Sequence, residues 1–143
     1  MNAKDYLTKA YNLDKFIDAC LVELSNIKRQ SRIISSIDYS RDKIQKSPEN
    51  RIENTIVKLI DMENLINDKI DELVDLKTEI RGKIDCIPDE TERLLLTYRY
   101  LCFLSWEEIA DKMSYSCRNI HYLHTKALKS FESLHLISYK DVI

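Results

Sequence analysis

Arg118, Asn119, His121, Tyr122, Thr125, Lys126 and Lys129 fall on one side of a helix if residues 117–131 are helical. Their chemistry is that of base reading. A guanidinium such as that of Arg118 pairs bidentately with guanine, and an amide such as that of Asn119 with adenine. Tyr122, Thr125, Lys126 and Lys129 suit phosphate oxygens, as point charges and hydroxyl donors. Ser116 and Cys117 stand where such a helix begins and complete the candidate DNA-binding set. From Ser114 to Phe131 the chain carries three basic residues, two histidines and no acid. A solvated face that merely lacks acids is the plainer reading of the same pattern. Cys117, His121 and His124 also have helical spacing, but no fourth ligand accompanies them, and no metal site is assigned. No nucleophile–base pair, phosphate loop or metal-hydrolase signature occurs. The sequence therefore predicts neither an enzyme nor a cofactor.

The elements that must hold this face are legible from caps and apolar spacing. Ser105-Trp106-Glu107-Glu108 matches the capping box and opens a short helix to about Met113. Ser116 caps a further helix running to about Leu134. Counted from Trp106, the positions of Ile109, Ala110, Met113, Tyr115, Ile120 and Leu123 are those packed between the two helices of a helix-turn-helix. Ala110 has the small size that the close crossing requires. Ser114 departs from the pattern, since the turn there favours glycine in a left-handed conformation. The inward set of the last helix is Ile120, Leu123, Ala127, Leu128 and Phe131. Upstream, Pro88 ends a long helix, and Asp89, Glu90 and Glu92 suit the first turn of another. Leu94, Leu95, Tyr98, Leu101 and Cys102 give that helix an apolar face.

The remainder reads as two long helices. One glycine and two prolines in 143 residues exclude turn-rich β folds and glycine-rich nucleotide loops. Tyr6, Ala10, Leu13, Ile17, Cys20, Leu24, Ile27, Ser31 and Ile34 follow alternating four- and three-residue steps, with Leu7, Leu21 and Val22 broadening the stripe. Periodicity lapses near residues 35–50 and restarts at Ser47-Pro48, as cap and first helical residue. A second stripe then runs through Ile52, Ile56, Leu59, Glu63, Ile66, Ile70, Leu73, Lys77, Ile80, Ile84 and Ile87. Glu63 and Lys77 are its polar interruptions. Equal helices joined by a polar loop predict an antiparallel hairpin, a coiled coil roughly 50 Å long. Val57, Ile60, Met62, Leu65, Val74 and Leu76 are more apolar surface than one partner helix covers, which predicts a homodimer. The expected architecture is all-α, with a helical hairpin for oligomerisation over residues 1–86 and a three-helix module over 87–143.

Ile87-Pro88-Asp89-Glu90-Thr91-Glu92-Arg93-Leu94-Leu95-Leu96, then Arg99-Tyr100-Leu101, then Leu104-Ser105-Trp106-Glu107-Glu108-Ile109-Ala110, resembles region 4 of the sigma-70 family. Lys126-Ala127-Leu128 resembles that region's closing motif. The start at Met1 to Tyr11, the Tyr39–Gln45 stretch, the Ile70–Ile80 run and Arg99 to Ala110 resemble small phage and prophage proteins of Gram-positive bacteria. Those proteins stand near the ArpU and RinA type regulators of late transcription. The resemblance implies double-stranded DNA as partner, transcription control and docking on RNA polymerase. It supplies no catalytic or ligand-binding residue.

The leading expectation is a dimeric, sequence-specific regulator of phage or prophage genes. Two alternatives belong to other classes. A small-terminase-like DNA-packaging protein would form a ring and usually carries its DNA module first. A protein-only adaptor would bind RNA polymerase or a sigma factor without touching DNA. The net charge of −2 favours neither nucleic acid nor membrane, but it hides contrast: residues 51–87 hold 6 basic and 9 acidic side chains, against the acid-free last helix. No apolar run is long enough for a membrane span or a signal peptide. Four scattered cysteines read as reduced thiols, so the expected location is bacterial cytoplasm, at the nucleoid.

Overall fold

The structure is a computed structural model that describes residues 2–37 and 48–136, with side chains described over 2–33 and 50–135. Among these residues the fold is all helical, with no strand. The helices are α1 (Ala3–Ile37), α2 (Pro48–Asp85), α3 (Glu90–Leu96), α4 (Trp106–Met113) and α5 (Cys117–Phe131). A π-helical turn, Thr97–Leu101, continues α3, and another, Glu132–Leu136, continues α5. The cap expected at Ser47, the Tyr39–Gln45 motif and the side chain of Ile34 lie outside the described residues. The chain divides into two compact units, one of Met1–Leu13 with Leu73–Ile143 and one of Asp14–Glu72.

In the first unit the early turns of α1 share a core with the end of α2 and with the C-terminal helices. Leu7 and Ala10 pack with Ile80, Ile84, Ile87, Leu96, Ala127 and Phe131, all essentially inaccessible to solvent. Burial of this apolar surface is the main stabilising term. Polar links lock its edges. The Ala3 backbone N–H donates to Glu132 Oε1 at 3.1 Å, and His135 Nε2 meets the Lys83 carbonyl at 2.7 Å. Tyr6 Oη donates to Glu79 Oε1 at 2.7 Å, and this hydrogen bond, more than the neighbouring Lys83, holds the Glu79 carboxyl below its ordinary range. Phe103 adopts φ 59°, a left-handed conformation that is costly for a bulky residue. Its ring is held edge-on by Tyr11 and capped by the Lys77 ammonium 4.5 Å from its centre.

The second unit buries much less. Ile17, Cys20, Thr55 and Ile66 are its buried side chains, while Phe16, Leu21, Val22, Ile33, Ile56, Val57, Ile60, Leu65 and Ile70 remain substantially exposed. The inward line of α1 follows the sequence stripe through Ile17, Cys20, Leu24, Ile27 and Ser31. Leu21 and Val22 do not broaden it; both face solvent. On α2 the line is corrected. Leu59, Met62, Ile66 and Lys69 turn inward, and Ile56, Glu63 and Ile70 turn outward. Lys69 ion-pairs with Glu72 at 3.2 Å, one turn along the same helix.

Candidate nucleic-acid interface

Three caps fix the C-terminal helices. Asp89 is the N-cap of α3 rather than part of its first turn, its carboxylate accepting from the N–H groups of Thr91 and Glu92. Ser105 caps α4 by accepting from Glu108 N–H, and its hydroxyl also donates to the Glu108 carboxylate at 3.1 Å. Ser116 caps α5, its Oγ accepting from Asn119 N–H at 3.2 Å. Each side-chain oxygen satisfies backbone donors that the first helical turn leaves open.

The turn between α4 and α5 forms without glycine. Ser114 takes φ 58° and ψ 40°, and its N–H bonds to the Asp111 carbonyl. Tyr115 N–H reaches the Ala110 carbonyl at 3.0 Å. This pair of bonds is a Schellman closure, which needs a left-handed residue at that position. Tyr115 then faces outward, 43% exposed, instead of packing between the helices as its spacing suggested. The remaining spacing argument agrees with the packing: Leu95, Ile109, Ala110 and Ile120 form a closed cluster, edged by Trp106, Met113 and Leu123.

The apolar face of α3 differs from the expected one. Leu94 is 41% exposed and Cys102 is exposed, while Leu96 and Tyr100 are buried. The inward line runs through Glu92, Leu96 and Tyr100 at four-residue steps that begin before the π turn. In the turn itself Cys102 N–H bonds back to Thr97 O, five residues earlier, and the helix widens.

On α5 the inward residues Ile120, Ala127 and Phe131 are fully buried, with Leu123 and Leu128 partly so. Ser116, Cys117, Arg118, Asn119, His121, Tyr122, Thr125, Lys126 and Lys129 are all exposed. Tyr122 is 75% exposed. The structure thus brings the nine sequence-derived residues onto the solvent side of one helix and its cap. Two have their hydroxyls engaged, Ser116 in the cap and Thr125 donating to the His121 carbonyl at 3.1 Å. On α4, Glu107, Glu108 and Asp111 form an exposed acidic neighbourhood.

His124 leaves the set of candidate ligands. It is buried, and its Nε2 lies 2.6 Å from Tyr100 Oη. Burial, with lesser contributions from Lys4, Arg99 and His121, brings its pKa down to about 4. Burial likewise pushes the Tyr100 phenol up to about 12. The phenol therefore keeps its proton and the imidazole is neutral, and in its Nδ1–H tautomer Nε2 accepts the hydrogen bond from Tyr100 Oη. Trp106 packs against this pair, its ring 4.6 Å from His124 and 4.9 Å from His121, with the Arg99 guanidinium 4.3 Å above it. Arg99 is fixed there by donating to the Leu104 carbonyl. Among the described residues no cluster of three metal-ligating side chains occurs. Nor is any described helix long and apolar enough to cross a membrane.

The buried Tyr100–His124 pair and the aromatic stack on Trp106 had no local sequence signal, because their partners are far apart in the chain. Compared with known proteins, residues 33–132 match the model of a family described as Protein of unknown function (DUF1492). No curated protein and no solved structure matches the chain.

Proposed function

We propose that this chain, which belongs to the DUF1492 family, is a dimeric, sequence-specific DNA-binding regulator of transcription. In this reading α1 and α2 form an antiparallel hairpin, and α3 to α5 form a helix-turn-helix module with α5 as the reading helix. The observation that carries the reading is the outer face of α5: Arg118, Asn119, Tyr122, Lys126 and Lys129 are all exposed with no acid among them. A helix presented this way, on a second helix crossing at a small residue, suits the major groove. The resemblance to phage and prophage proteins and to sigma region 4 supports phage genes as the regulated set. A single module with few phosphate contacts grips weakly, and a dimer adds avidity across paired half-sites.

The exposed acids Glu107, Glu108 and Asp111 favour a second role for the same module, docking on a protein such as RNA polymerase. Mobility shift on genomic fragments at low salt tests the two readings together. Arg118→Ala combined with Asn119→Ala is expected to weaken specific binding at least tenfold, since each bidentate contact discriminates by about 1–3 kcal/mol. Unchanged binding in the double variant overturns α5 as the reading helix. Capture of RNA polymerase with no DNA shift makes the chain an adaptor, and a many-subunit ring by light scattering makes it a packaging protein.

A further inference from the structure

The exposed side of α2 carries a second heptad line, one step away from the line that faces inward. It runs through Glu53, Ile56, Ile60, Glu63, Asn67, Ile70, Val74 and Lys77, at alternating three- and four-residue steps. Ile56, Ile60, Ile70 and Val74 are each between 41% and 55% exposed, so nothing among the described residues covers them. Residues with this spacing and exposure are the seam of a helix that lacks its partner.

The line has a symmetry. Read outward from Leu65, each position has a counterpart at equal distance: Ile60 with Ile70, Ile56 with Val74, Glu63 with Asn67, Glu53 with Lys77. We propose that a second copy of this chain covers the seam, with its α2 running antiparallel and the two-fold axis level with Leu65. In that register isoleucine meets isoleucine, Ile56 meets the partner's Val74, and Glu53 meets the partner's Lys77. The Glu63 carboxylate meets the partner's Asn67 amide, a polar pair at the middle that fixes the register at some cost in stability. Lys77 stands at the rim of the seam, where its ammonium also lies over the Phe103 ring.

A parallel, in-register pairing of the same line would set Glu53, Glu63 and Lys77 each against its own copy. Sliding the antiparallel pair by one heptad would place Ile60 against Glu63 and break the apolar matches. The charge pattern thus selects direction, and the apolar pattern selects register. A two-fold pair of this kind is self-complementary and closes, so it gives dimers rather than fibres. The inference deepens the dimeric part of the proposed function and does not depend on DNA binding.

Chains with one introduced cysteine test it, in a background where the exposed Cys86, Cys102 and Cys117 are serine and only the buried Cys20 remains. Under mild oxidation, Ile60→Cys mixed with Ile70→Cys is expected to give a covalent dimer. Either variant alone should give none, because equivalent residues would lie about 15 Å apart along the axis. Ile60→Glu, with helical circular dichroism retained, is expected to raise the dimer dissociation constant at least tenfold. Self-linking of Ile60→Cys alone overturns the antiparallel direction. A dimer by sedimentation without the mixed disulfide overturns this seam but leaves dimerisation standing. A monomer at every concentration overturns both.

Discussion

The buried Tyr100–His124 pair makes the stability of the first unit depend on pH. The unfolded chain protonates His124 near the ordinary 6.5, whereas the folded imidazole does so near 4. The unfolded state therefore binds more protons in between, and stability present above pH 6.5 falls progressively as pH drops towards 4. Urea midpoints at pH 7.5 and pH 5 should show this loss. His124→Gln, which keeps an acceptor for Tyr100 Oη, should flatten the dependence; an equally steep dependence would assign the loss to other groups. At this scale the sequence showed the caps Ser105 and Ser116, because each acts on a donor three residues away, whereas Asp89, expected in the first turn of α3, is itself the cap. It did not show Tyr100 meeting His124, since that contact depends on how α3 and α5 cross. Ser114 could be recognised as the turn residue, but its left-handed conformation follows from the two carbonyls it must help satisfy. Nothing in the residue type announces it.

The helices themselves were mostly legible, and the errors have one physical source each. The inward stripe of α1 was legible through Ile17, Cys20, Leu24, Ile27 and Ser31, although Leu21 and Val22, expected to broaden it, face solvent. On α2 two apolar lines run side by side, and hydropathy alone cannot say which one faces α1. Glu63 was consequently placed in the inner seam, where the structure puts Met62. Met62→Ala is expected to cost about 1–2 kcal/mol, less than a fully buried methionine, and Glu63→Ala no more than about 0.5 kcal/mol. Denaturant unfolding of chains kept monomeric by Ile60→Glu measures both without interference from association. Reversed magnitudes would restore the original register. On α3 the inward line Glu92, Leu96, Tyr100 begins on a buried glutamate, which hydropathy does not mark.

Across the molecule, buried apolar surface is distributed unevenly. The first unit has a core of side chains drawn from α1, α2, α3 and α5, whereas among the described residues the second buries only Ile17, Cys20, Thr55 and Ile66. Local stability follows buried contacts, so the second unit should open more readily. Amide exchange in dilute monomer is expected to be at least tenfold faster over residues 17–33 and 52–70 than over 80–87 and 120–131. Raising the protein concentration should slow the first set and leave the second unchanged, if the α2 seam is covered by association. Equal protection in dilute monomer would mean that the paired helices are stable alone. The sequence conveyed an excess of apolar surface on α2. It did not convey that the ends of α1 and α2 belong with the C-terminal helices, because that depends on long-range packing of Leu7, Ala10, Ile80 and Ile84.

The widened turn at Thr97–Leu101 also bears on how this chain can change length. A five-residue turn is the form a single-codon insertion takes when the packing on both sides is already set. Leu95 and Leu96 lie just before it and Tyr100 within it, Leu95 held in one core and Leu96 with Tyr100 in the other. Homologous chains one residue shorter within 97–101 would close a regular helix there and still present α4 and α5 as before. A lost residue anywhere in Glu90–Leu96 would instead rotate α4 and α5 out of register with their support.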